Sequence, residues 1–123
     1  MTRIAGSSAA VPPPAGPYSQ SARIGSFVAS SGQAGFLPDG SLPDDVAEQT
    51  RLALAHVRDA LRASGAGFEQ VLHMRIYLTD PSQFATMNEV YTEFLSAPYP
   101  ARTTVYVTLP AGMYVEIDAL AVV

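Results

Sequence analysis

The chain has no cysteine and no lysine. Without cysteine there are no disulfides, no thiolate nucleophile and no cysteine-based zinc site. Without lysine there can be no Schiff base to the protein's own amine, and no P-loop lysine to meet nucleotide phosphates. All seven basic residues are therefore arginines. They are scattered along a chain of net charge −4, which argues against a nucleic-acid binder, where a basic patch is the usual footprint. No apolar run approaches the 18 or so residues of a membrane span. The opening residues, Met1 to Gly6, hold no hydrophobic stretch of the secretory kind, so a cytoplasmic location with no membrane partner is expected. At 123 residues and 48% apolar content, one domain spanning 1–123 with a single core is expected.

The pattern along the chain predicts strands and two helices. Three consecutive prolines, Pro12 to Pro14, make a stiff N-terminal loop that presents Tyr18, either as an edge plug or as a hydroxyl aimed into a pocket. Ser19–Ile24 and Phe27–Ser31 read as a short hairpin running into Ser31-Gly32-Gln33, where glycine permits a close backbone approach or simply a turn. Asp45, with Glu48 three residues on, starts a helix that stops at Ser64-Gly65, with Leu52, Ala53, Ala55, His56, Ala60 and Leu61 near its buried side. Residues 71–79 alternate, with Leu72, Met74, Ile76 and Leu78 on one face and His73, Arg75, Tyr77 and Thr79 on the other. Asp80, Pro81 and Gln83 then open a second helix. Asn88 sits in its middle, as a tolerated surface residue or a polar group of a site.

The last 25 residues carry the unusual charges. Arg102 opens a strand, and Glu116 and Asp118 interrupt an otherwise apolar final strand. Charges facing inward need a partner or a purpose. Alternation assigns Thr103, Val105 and Val107 to the helix-covered face, and Arg102, Thr104 and Tyr106 to the other. If the two strands pair as a hairpin about Pro110, Arg102 faces Asp118. The pair is then either an inert ion pair or an anion clamp beside an acid that handles water. The final strand is apolar on both faces while two helices can cover only one, so a second copy of the chain is expected to cover the rest.

Gly16-Pro17-Tyr18, Ser31-Gly32-Gln33, the Phe84-Ala85-Thr86-Met87-Asn88…Tyr91 helix, Pro100-Ala101-Arg102-Thr103 and Val115-Glu116-Ile117-Asp118-Ala119-Leu120-Ala121-Val122 together resemble the RidA/YjgF family of imine deaminases. The resemblance implies a chorismate-mutase-like α+β fold, with a mixed six-stranded sheet and two helices on one face. It also implies assembly as a homotrimer with sites between subunits, and no cofactor. The implied reaction is hydrolysis of 2-aminoacrylate/2-iminopropionate-type substrates to a 2-keto acid and ammonia. Carried over by position, Arg102 grips the substrate carboxylate, for which bidentate arginine suits better than lysine. Tyr18 lines the cleft, Ser31 and Gly32 run along the ligand, and Asn88 is a polar residue of the pocket. Asp118 takes the place of the glutamate that positions water, one methylene shorter. Thr104 stands where cysteine is common. A non-catalytic carboxylate-binding module is the alternative, with a ribonuclease a weaker one.

Overall fold

The computed structural model describes residues 1–123 and consists of one sheet with two helices on one side. The strands are β1 (Ile4–Gly6), β2 (Ser21–Ile24), β3 (Phe27–Ser30), β4 (Gln33–Ala34), β5 (Val71–Leu78), β6 (Ala101–Tyr106) and β7 (Val115–Val122). The helices are α1 (Val46–Arg62) and α2 (Phe84–Phe94). The order across the sheet is β1-β2-β3-β7-β5-β6, with β4 also pairing β7. Seven strands therefore replace the expected six. The three-residue β1 and the two-residue β4 are too short to show a period of two in the sequence. No helix is long and apolar enough to cross a membrane.

The helix starts follow from local chemistry. The Asp45 carboxylate accepts from the Glu48 backbone N–H at 3.0 Å and caps α1. Ahead of α2, Asp80 and Gln83 form a reciprocal capping box around Pro81, and the first turn is a 3₁₀ helix. The buried side of α1 is rotated slightly from the expected one: Leu54 and Val57 are fully buried, while Leu52 and Ala55 are only partly covered. They pack with Leu61, Met74, Ile76 and Ile117 into one core between the helices and the sheet.

In β5 the alternation holds from Met74 onward. A bulge between Val71 and His73 turns Val71 inward and leaves Leu72 exposed, contrary to the simple period. Gln49 is a buried polar residue without a sequence signal. Its amide donates to the Pro43 and Gly112 carbonyls at 2.8 Å each and accepts from the Tyr114 N–H at 2.8 Å, tying the start of α1 to the turn before β7. Gly35 lies so close to α1 that an added Cβ would meet the Gln49 backbone at 2.5 Å.

The position of β5 overturns the expected pairing of the closing strands. β6 and β7 do not form a hairpin. The chain crosses over through α2, so β6 pairs parallel with β5, and β5 pairs antiparallel with β7. The physical reason lies in β7. A strand apolar on both faces is most stable in the middle of a sheet, and β7 there takes β3 and β4 on one side and β5 on the other.

Candidate active site

The inserted strand separates Arg102 from Asp118. Arg102 aligns with Met74, which is fully buried beneath the helices, whereas Asp118 aligns with Arg75 on the open face. Residues opposite one another in a ladder share a face. Arg102 and Thr104 therefore lie on the helix side, and Thr103 and Val105 on the open side, the reverse of the expected assignment. The edge strand β6 inverts the simple rule because only the rim of α2 covers it. That rim accepts a long arginine stem, and the valines remain exposed.

At that rim, the Arg102 guanidinium lies over the Tyr91 ring, 4.9 Å from its centroid, and 5.7 Å from that of Phe84. No Asp or Glu forms an ion pair with it. Asn88, Tyr91, Thr92, Tyr99, Pro100 and Arg102 line a cleft of about 300 Å³. Asn88 and Arg102 are thus brought together, as the helical position of Asn88 allowed. Burial pushes the Tyr91 hydroxyl pKa up, and its oxygen is buried without a hydrogen-bond partner. The cleft offers a planar cation held by aromatic faces, suited to a small carboxylate.

A second group gathers on the open face. Gln20, nearly fully buried, donates to the carbonyls of Ser8, Val11 and Pro12 and accepts from the Ser8 N–H, which pins the proline loop. That loop carries Tyr18, half-exposed, whose hydroxyl accepts from the Ala15 N–H at 3.1 Å. The Ser31 hydroxyl donates to the Ser19 carbonyl next to Tyr18. Gly32 follows and lies against Glu116, where an added Cβ would be 2.5 Å from Oε2. Tyr18, Ser31 and Gly32 are therefore neighbours, and the acid beside them is Glu116.

Asp118 has other partners. Its Oδ1 accepts from Arg75 Nε at 2.7 Å and its Oδ2 from the Tyr77 hydroxyl at 3.0 Å. Glu116 has no such partner. Burial, reinforced by the nearby Asp118 charge, raises its pKa above the usual carboxyl range. An acid with a raised pKa and an unshared carboxyl group is the better candidate for moving a proton. The sequence did contain a signal for this: Arg75, Tyr77, Glu116 and Asp118 all fall on the outward positions of their strands. Only the pairing of β5 with β7 gives that signal meaning.

Elsewhere, His56 is packed as expected, its Nε2 at 2.9 Å from the Phe36 carbonyl. No three His, Asp or Glu side chains gather in a metal-binding cluster.

The sequence and the fold are both similar to those of known proteins. The profile of the Endoribonuclease L-PSP family matches residues 8–123. A 2-iminobutanoate/2-iminopropanoate deaminase of Bos taurus is 39% identical over 119 residues, covering 94% of this chain and 87% of that one. The crystal structure of Escherichia coli TdcF with bound serine superimposes with a TM-score of 0.92 at 38% identity, covering 98% of both chains. That of the Escherichia coli YjgF gene product gives 0.89 at 34% identity, covering 97% of this chain and 98% of that one.

Proposed function

Because the chain belongs to the Endoribonuclease L-PSP family, which includes the RidA and YjgF proteins, we propose that it hydrolyses small 2-imino and enamine acids to 2-keto acids and ammonia. The observation that carries this reading is Arg102: a guanidinium without an acid partner, seated on an aromatic face at the mouth of a cleft. The bovine relative's name supports the reaction, and the serine held by TdcF supports a small amino-acid-like ligand.

The chemistry asks little of the protein. An imine carbon next to a carboxylate is already electrophilic. Arg102 orients the carboxylate through paired hydrogen bonds, with Asn88 beside it. A water adds to C2 and passes its proton to Glu116. Glu116 returns that proton to the carbinolamine nitrogen, and the C–N bond breaks as Glu116 takes up the hydroxyl proton, releasing ammonia and leaving the keto acid. Glu116 thus takes the role that the sequence assigned to Asp118. Ser31 and Gly32 flank the reacting end, and Tyr18 and Thr104 border the site.

Arg102 and Glu116 lie on opposite faces of one sheet, so one small substrate cannot reach both within a single chain. The site is therefore completed by a second copy, in a homotrimer. The open face supports this: Ile24, Phe27, Leu72, Leu120 and Val122 are all exposed on it or at its margin.

The test is Arg102→Ala, assayed by ammonia release from enzymatically generated 2-aminoacrylate. It should lose most of the activity at an unchanged circular dichroism spectrum. Native-like turnover by this variant would refute the assignment. Keto-acid binding without imine turnover by the native chain would favour a binding module instead. For the subunit arrangement, mixed Arg102→Ala and Glu116→Gln chains should regain activity after co-refolding, and failure to do so would place both groups in one chain.

A further inference from the structure

Glu116 and Asp118 stand two residues apart on β7 and face the same side of the sheet, so their charges are only about 7 Å apart along the strand. Like charges at that distance oppose each other. The structure treats the two acids unequally. Asp118 is nearly buried and takes one hydrogen bond on each oxygen, from Arg75 and from Tyr77. Tyr77 in turn is the direct cross-strand neighbour of Glu116. Glu116 takes part in no ion pair, and its tip lies against Gly32.

We propose that Arg75, Tyr77 and Asp118 are positioning residues that act through Glu116, holding a fixed charge beside it so that Glu116 alone exchanges the proton. This rests on the deaminase reading above, and it gives Asp118 and Arg75 roles that neither substrate contact nor folding requires. An ion pair with its arginine 60% exposed contributes little to stability. Fixing the orientation of the buried carboxylate is what the pair does well.

The surroundings of Glu116 leave few other charges to act on it. From β5 come Tyr77 and, diagonally, Arg75. From β4 and the residue before it come Ala34 and Gly32, which do not titrate. On its own segment, Tyr114 is engaged by Asp44, and Asp118 remains. Consistently, burial and then Asp118 raise the pKa of Glu116, while burial and then Asp118 also raise that of Tyr77. Two adjacent acids with unequal hydrogen-bond partners can divide the work of a proton transfer.

Two substitutions move Glu116 in opposite directions, which a purely structural role does not predict. Asp118→Asn removes the negative neighbour, so Glu116 should titrate lower. Arg75→Met removes the cation that offsets Asp118, so Glu116 should titrate higher. At about 7 Å with partial screening, each shift should be on the order of 0.5 to 1.5 pH units. The readouts are the midpoint of the Glu116 carboxyl carbon in ¹³C NMR, assigned by its loss in Glu116→Gln, and the acidic limb of the pH–rate profile. Shifts of opposite sign in both readouts support the proposal. Midpoints that do not move, or that move the same way in both variants, overturn it. If Asp118→Asn fails to fold, Arg75→Met alone still decides, because only the proposal requires an upward shift. An inactive native protein whose Glu116 midpoint still responds would fault the deaminase reading and leave the coupling standing.

Discussion

Replacing Gly32 with alanine tests whether the Glu116 carboxylate is held where the reaction needs it. The backbone of Gly32 does not require glycine, since the positive-φ glycines are Gly25, Gly40, Gly65 and Gly112. The new methyl would instead lie 2.5 Å from Oε2, 2.9 Å from Cδ and 3.2 Å from Cγ of Glu116. Ordinary carbon contacts are about 3.5–4.0 Å, so the flexible tip of Glu116 must retreat by about 1 Å while the strands stay in place. A displacement of that size at a reacting group costs about 100-fold in rate, or about 2.7 kcal/mol of transition-state stabilisation. The assay is keto-acid and ammonia release from enzymatically generated 2-aminoacrylate, with thermal unfolding as the control for the fold. Gly32→Ala should melt near the native temperature. Because it acts through Glu116, it should add little in a Glu116→Gln background. A folded variant that keeps more than about a third of the native rate would refute the reasoning.

Other substitutions probe the frame around the site. Gln49→Leu leaves the Pro43 and Gly112 carbonyls and the Tyr114 N–H without their partner, and should lower stability by about 3 kcal/mol in urea unfolding; a loss below about 1 kcal/mol would show that water replaces the amide. Tyr91→Phe removes a buried hydroxyl that bonds to nothing, so stability should hold or rise by up to about 1 kcal/mol, and a clear loss would reveal an unrecognised hydrogen bond. Glu116 has a raised pKa in the folded chain, so its stabilising contribution is complete below the ordinary carboxyl value and is lost as pH rises through the folded value. Glu116→Gln should therefore gain stability on the native chain between about pH 4 and pH 7 in paired urea titrations, and a gain by the native chain over that range would contradict the shift.

What the sequence determined by itself was local or compositional. Asp45 and Asp80 mark helix starts because a cap is a contact within four residues. Met74, Ile76 and Leu78 reveal a buried strand face because alternation is written in consecutive positions. The family is legible in short motifs spread over most of the chain. Arg102 and Asn88 stood out as a charge and a polar group in apolar settings, and the fold does bring them to one cleft.

The partners of those charges were decided by tertiary structure alone. Arg75 and Asp118 are 43 residues apart, and no local pattern says that β5 lies between β6 and β7. That order follows from where the most apolar strand can be buried, which is a property of the whole sheet. Once β5 takes that place, Asp118 meets Arg75 instead of Arg102, Glu116 becomes the acid beside Gly32, and Arg102 turns to the helix side. Strand faces can be read residue by residue, whereas strand neighbours depend on every other strand in the sheet.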